Sequence, residues 1–308
     1  MSIDLENVIS HISENKYHFL KNIQNVKGVG LGFKTINGYA TNEPCIHVLV
    51  QKKLNQSLIV NTKNIIPKTY MGIKTDVLEV GNPRFRKFIE KVRPLQGGYS
   101  ISLPNTGSGT IGCIVTRLDS NNNKTFYILS NNHVIADCNK TPLGTPIFQP
   151  GQFDGGTQSD IIASLSDFIP LNISYTSPYP INYVDAAIAQ VKKLSLISTL
   201  IASSGKVRGV DEPILNTFVK KSGRTTGLTT GKITTINVTI DVDGGLFKKQ
   251  ILANLKNWYG DSGSLLLNRA NKAIGLLYAG EDDKITIACP IKLVLKLLNV
   301  KILASRFW

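Results

Sequence analysis

Ser262 is the residue whose neighbours best equip it to act as a nucleophile. It stands in Gly260-Asp261-Ser262-Gly263-Ser264. The flanking glycines remove Cβ atoms that would block a substrate, and they tolerate the unusual φ/ψ of a tight turn. Such a turn can also aim backbone N–H groups at a developing oxyanion. A serine hydroxyl needs a base to take its proton. His133 is the only histidine after residue 97, so it is the only imidazole available to Ser262 in that part of the chain. It follows the apolar run Tyr127-Ile128-Leu129 and the small polar residues Ser130-Asn131-Asn132. That places it just past a strand end, where site residues tend to lie.

The imidazole in turn requires a carboxylate to accept from Nδ1–H and fix the tautomer. Asp137, Asp154, Asp160, Asp167, Asp185, Asp211, Asp241 and Asp243 lie between His133 and Ser262. Most stand in polar loops. Asp185 instead opens Val184-Asp185-Ala186-Ala187-Ile188-Ala189-Gln190-Val191, and an acid among apolar neighbours needs a partner when buried. It is the favoured carboxylate, against the plainer alternative of an aspartate that merely starts a strand.

The elements that must position these residues read as all-β. Short apolar or β-branched runs recur at 112–117, 125–129, 161–165, 186–191, 217–220, 231–240, 264–267, 273–278 and 286–288, separated by turns rich in Gly, Asn, Asp and Pro. This spacing argues for a sandwich or barrels, closed by a helix over 291–298. The earlier part differs. Residues 3–23 have the apolar spacing of an amphipathic helix, with His11 and His18 at its polar face or boundary. Asn37-Gly38 signals a hairpin, so two strands are expected around it, a third at 46–51 with His47 in a structural place, and a fourth at 75–80. Gly28-Val29-Gly30-Leu31-Gly32 lacks the Gly-x-Gly-x-x-Gly spacing and the following helix of a phosphate loop. The expected organisation is a small α+β accessory domain at 1–80, a basic linker at 81–96 with a short helical turn over 85–92, and a second domain at 97–308.

At 308 residues, 42% of them hydrophobic, the chain has the composition of a globular protein. It has no apolar run of the ~20 residues a membrane helix needs, and its first residues form no signal-peptide core, so a cytoplasmic location is expected, with no membrane partner. The net charge of +14 would suit nucleic acid. However, the basic residues are scattered, the densest patch being Arg84, Arg86, Lys87, Lys91 and Arg93, with no interleaved aromatics. Nucleic-acid binding is therefore disfavoured. Cys45, Cys113, Cys138 and Cys289 form no Cys-x-x-Cys pair, which argues against a zinc site. Cys113 and Cys138 are the pair to examine for a disulfide.

The order His133, Asp185, Ser262 resembles that of the trypsin/chymotrypsin-like serine peptidases. Leu129-Ser130-Asn131-Asn132-His133 is similar to their histidine strand end, and Asp185-Ala186-Ala187-Ile188-Ala189 to their Asp-Ile-Ala-Leu pattern. Gly260-Asp261-Ser262-Gly263-Ser264 resembles Gly-Asp-Ser-Gly-Gly, with Ser264 for the last glycine. Lys221-Ser222-Gly223-Arg224-Thr225-Thr226-Gly227, with Gly231-Lys232-Ile233, is similar to a segment of the bacterial members. The full layout resembles bacterial trypsin-like proteins and the plant Narrow-leaf trypsin-like proteases. The resemblance implies a mainly β, two-barrel trypsin-like domain behind a small α+β N-terminal domain. It implies a serine endopeptidase acting on proteins or peptides without metal or organic cofactor, with a homo-oligomer open. Ser262 would be the nucleophile, His133 the base and then acid, Asp185 the orienting carboxylate, and the Gly260 and Ser262 N–H groups the oxyanion hole.

Two departures bear on this. Leu95-Gln96-Gly97-Gly98 only loosely matches the activation site whose new N-terminus pairs with the aspartate before the serine. Residues 97–102 are expected to form a first barrel strand without cleavage. Lys256 stands where trypsin carries an acid, and Leu277, Tyr278 and Ala279 would line the cleft. Lys256 either sits at the pocket base, favouring an acidic P1 residue, or points to solvent. The competing functional reading is a catalytically silent peptidase-fold scaffold, with nucleic acid as one partner.

Overall fold

The computed structural model describes residues 25–36, 38–55, 65–82, 88–118, 121–281 and 285–304, with Asn7 and Ile23 besides. The amphipathic helix expected at 3–23, with His11 and His18, lies outside the described residues. So does part of the turn expected at 85–92, whose described portion from 88 onward is not helical. The chain forms two compact units, Met1–Phe85 and Arg86–Trp308.

In the first unit, β1 (Val26–Ile36) and β2 (Tyr39–Val50) are antiparallel, followed by β3 (Thr69–Tyr70) and β4 (Ile73–Glu79). The sheet order is β1-β2-β4-β3, and β2 runs parallel to β4. The second and third expected strands are one continuous strand. Pro44 does not break it, because β4 pairs with β2 only from Ile46 onward, so the missing N–H costs no ladder bond on that edge. Alternate residues Ile46, Val48 and Val50 are buried in a small core with Ile23, as the two-residue period of a strand dictates.

The second unit begins with a short ribbon of β5 (Ser100–Ile101) and β6 (Gly109–Thr110). Then come β7 (Cys113–Leu118), β8 (Lys124–Ser130), the single-turn helix α1 (Asn132–Ile135), β9 (Pro146–Phe148), β10 (Ile161–Phe168), β11 (Ile181–Asn182) and β12 (Ala187–Val191). A second ribbon, β13 (Leu200–Ile201) with β14 (Gly205–Lys206), precedes β15 (Phe218–Gly223), β16 (Gly227–Val242), β17 (Gly245–Ala253), β18 (Leu265–Asn268), β19 (Ala273–Glu281) and β20 (Ile285–Pro290). Helix α2 (Ile291–Leu297) and β21 (Lys301–Ile302) end the described chain.

One six-stranded sheet has the order β21-β7-β8-β12-β10-β9. In the other, β20 pairs with both β19 and β17, which closes β17-β16-β15-β18-β19-β20 into a barrel. Strand alternation divides the core. Ile114 and Ile128 face a cluster within the first sheet, and Val219, Ile251 and Leu266 one within the barrel. Val115 and Leu129 join Leu265, Leu276, Cys289 and Val294 in a cluster between the two sheets. The sequence reading missed β17 and ended β16 too early. Lys248 and Lys249 interrupt the apolar alternation of β17, Lys249 has φ +65°, and β16 shifts register against β17 at three places. Such bulges bend a strand and break its period. Among the described residues no helix is long and apolar enough to cross a membrane. Cys113 and Cys138 are both free thiols.

Candidate active site

His133 is placed by the end of β8. Ser130, Asn131 and Asn132 are fully buried polar residues, and each is anchored. Ser130 Oγ donates to the Thr110 carbonyl (2.8 Å) and Asn131 Nδ2 to the Asp185 carbonyl (2.7 Å). Asn132 Nδ2 reaches Asn139 Oδ1 (2.7 Å) and the Ile169 carbonyl (2.8 Å). The one-turn α1 then projects His133 from a rigid base. Asp185 precedes β12 and is 2% exposed. Its Oδ1 accepts from the His133 backbone N–H (3.2 Å), and its Oδ2 accepts a short hydrogen bond from His133 Nδ1–H. The carboxylate therefore fixes both the position and the tautomer of the ring, leaving Nε2 as the basic nitrogen.

Burial lowers the His133 pKa, but the charge of Asp185, its hydrogen bond and the charge of Asp243 outweigh it, and the net shift is upward. An anion favours the protonated ring, so an NMR titration of His133 should show a midpoint above the ordinary ~6.5. Asp185→Asn should bring the midpoint down. A wild-type midpoint at or below the ordinary value would contradict this coupling.

The turn carrying Ser262 is built by residues distant in sequence. Gly260 and Gly263 have φ +92° and +94°. A Cβ on Gly263 would lie 2.2 Å from the Thr110 carbonyl oxygen, so glycine is required there. Thr110 clamps the turn: its N–H donates to the Ser262 carbonyl (2.8 Å) and its Oγ1 to the Gly260 carbonyl (2.7 Å). With those carbonyls engaged, the Gly260 and Ser262 N–H groups have no acceptor among the described residues. Asp261 is completely buried. It accepts from Lys221 Nζ (3.0 Å), Thr226 Oγ1 (2.6 Å) and the N–H groups of Thr225 (2.9 Å), Thr226 (3.1 Å) and Trp258 (3.0 Å). Its charge is thus matched internally by Lys221, itself fully buried, with no new N-terminus. Burial lowers the Lys221 pKa more than Asp261 raises it. Leu95 is 1% exposed, and its N–H donates to the Leu196 carbonyl (2.9 Å). Of residues 97–102, only Ser100–Ile101 is strand.

His133, Asp185, Ser262, Leu277, Tyr278 and Ala279 converge on one cavity of about 630 Å³. Lys256 does not join them. Its side chain is exposed, and Asn257, one residue on, lines the cavity instead. Along 254–258 exposure alternates residue by residue, with Lys256 exposed and Asn257 buried. The Ser262 hydroxyl donates to the Tyr278 carbonyl (3.3 Å). No hydrogen bond joins it to His133 Nε2 among the described residues, and a χ1 rotation is what would re-aim it. The sequence reading did not assign roles to Lys221, Thr110 or Asn257. A lysine inside a buried glycine-rich strand end was the one available signal, and it does not name its partner.

Residues 11–80 match the family model described as the NARROW LEAF 1 N-terminal domain. No curated protein matches the chain. Among solved structures, Protease A of Thermobifida fusca is 19% identical, with 68% of this chain and 98% of that one covered and a TM-score of 0.51. A Nocardiopsis protease is 18% identical, with 67% and 97% covered and a TM-score of 0.50. At such identity the likeness concerns the fold. The chain is therefore a mostly β protein that carries the fold of the trypsin/chymotrypsin-like serine proteases together with a segment similar to the NARROW LEAF 1 N-terminal domain.

Proposed function

We propose that the protein is a serine endopeptidase. The observation that carries this reading is the convergence of His133, Asp185 and Ser262 on one cavity, with Asp185 already bonded to His133 Nδ1. Ser262 Oγ attacks the scissile carbonyl while His133 Nε2 takes its proton. The developing oxyanion is met by the N–H groups of Gly260 and Ser262. The imidazolium formed beside Asp185 returns its proton to the leaving amine. Water then hydrolyses the acyl-enzyme by the same steps. No metal or organic cofactor enters this chemistry.

The cavity also supports a substrate class. Among the described residues it is lined by no lysine or arginine, while Asp243 and Glu281 stand among its lining residues. Asn257 Nδ2 spends its hydrogens on the Ile285 carbonyl (2.9 Å) and Thr286 Oγ1 (2.9 Å), leaving Oδ1 as an acceptor. A cavity rich in acceptors and anions favours a basic P1 side chain, the reverse of what Lys256 suggested. A peptide library should be cleaved preferentially after Lys or Arg. Preference for acidic P1 would overturn this specificity. Absence of any cleavage, together with failure to label with a fluorophosphonate, would overturn the endopeptidase reading. That outcome would favour the peptidase-fold scaffold, which draws support from the Ser262 hydroxyl resting on the Tyr278 carbonyl.

A further inference from the structure

The N-terminal sheet places three metal-ligating side chains together on the face away from its apolar core. Cys45 and His47 lie two residues apart on β2, so they share a face, opposite Ile46 and Val48. Strand register sets Asp76 of β4 directly against His47. One ligand atom from each of the three lies within 4.8 Å of the other two.

His47 and Asp76 are held in the form a ligand needs. His47 Nε2 lies 3.0 Å from the Phe33 carbonyl oxygen. A carbonyl only accepts, so Nε2 carries the proton and Nδ1 keeps its lone pair. This is the outer hydrogen bond that orients ligating histidines. The ring can occupy this place because β1 carries Gly32 there. A Cβ on Gly32 would lie 2.2 Å from the ring. Asp76 Oδ2 accepts from the Thr35 N–H (2.7 Å) and Oδ1 from the Val77 N–H (2.9 Å), and each oxygen retains a further lone pair. The Cys45 thiol is fully buried with no hydrogen-bond partner among the described residues. Lys34 Nζ donates to the Thr75 carbonyl (3.2 Å) and makes no ion pair with Asp76 among the described residues.

We propose that Cys45, His47 and Asp76 form a binding site for one divalent transition-metal ion of the zinc type, with water completing a four-coordinate shell. A thiolate, an imidazole and a carboxylate suit zinc, whereas calcium and magnesium take oxygen donors. Bonds of about 2.0–2.3 Å require donors roughly 3.5 Å apart, so the three groups draw together by about 1 Å on binding. His47 and Asp76 are only partly buried and have room to turn. Binding releases the thiol proton to solvent. The ion would clip β2 to β4, two parallel strands also linked by their ladder, a shared apolar core and the Lys74–Glu43 ion pair, and would stabilise the folded unit.

Cobalt(II) titration of the full-length, chelator-treated protein tests the site. The expected result is a thiolate-to-cobalt charge-transfer band saturating at one equivalent and displaced by zinc. Cys45→Ser should abolish the band. His47→Gln, at the sheet surface, should weaken binding roughly tenfold or more, since even outer partners of ligands are worth that much. Absence of the band in the wild type at micromolar cobalt would overturn the proposal. So would a band unchanged in Cys45→Ser, which would place the metal on another thiol. Should Cys45→Ser fail to fold, as judged by circular dichroism, unchanged cobalt affinity in His47→Gln would be equally decisive against it.

Discussion

Ser262→Ala is expected to lower the rate of peptide hydrolysis by roughly a million-fold, the effect seen when the nucleophile of such a triad is removed, and to abolish fluorophosphonate labelling. The loss should fall on kcat, because the hydroxyl reacts with the substrate carbonyl and is not needed to hold the chain in the cleft. A residual acceleration of about 10³–10⁴ over water should persist, since the Gly260 and Ser262 N–H groups and the rest of the cleft are unchanged. The fold should tolerate the change. Ser262 Oγ makes a single 3.3 Å hydrogen bond, and the turn is held by Thr110, Asp261 and the two flanking glycines. Thermal midpoints of wild type and variant should agree closely. Cleavage by the variant at the wild-type rate would show that the hydrolysis comes from elsewhere, and labelling of a different residue would name it.

Lys221→Met is expected to have the largest effect on stability. Lys221 and Asp261 are both 0% exposed, and breaking a buried ion pair by removing one partner costs about 3–5 kcal/mol, because the other charge is left unmatched. For a domain of this size that corresponds to a fall in Tm of about 6–20 °C. The remaining donors to Asp261 are neutral N–H and O–H groups, which solvate the carboxylate but do not cancel its charge. Combining Lys221→Met with Asp261→Asn removes the charge that was left behind, so the double variant should lose less stability than the sum of the single ones. Denaturant unfolding of the four proteins measures this coupling. A Tm within a degree or two of wild type for Lys221→Met would mean that Asp261 is matched by something else. The same pair makes a further expectation: freshly purified, uncleaved protein should react with the probe, since the nucleophile turn is braced without a free N-terminus.

Ser262 and Lys221 differ in how much of their role the neighbouring residues reveal. Ser262 could be singled out because its local neighbours are unusual, and His133 because no competing imidazole follows residue 97. Asp185 stood out among eight candidates because its neighbours are apolar. Each is a one-dimensional property that survives folding. The strands flanking them were legible for the same reason, since a buried strand face imposes a two-residue period. β17 was not, because paired lysines and a bulge break that period.

What the chain's order of residues determined by itself is the set of reactive groups and the class of element carrying each one. Tertiary structure decided which groups meet. Lys221 and Asp261 are 40 residues apart, and the pairing is made by burying both in one place, which no local pattern encodes. Lys256 and Asn257 differ by one position, yet the folded chain leaves one exposed and puts the other on the cavity wall. Cys45 and His47 look unremarkable until the register of β2 on β4 brings Asp76 beside them. Register and parity are settled by which face must be buried, so they belong to the folded protein as a whole.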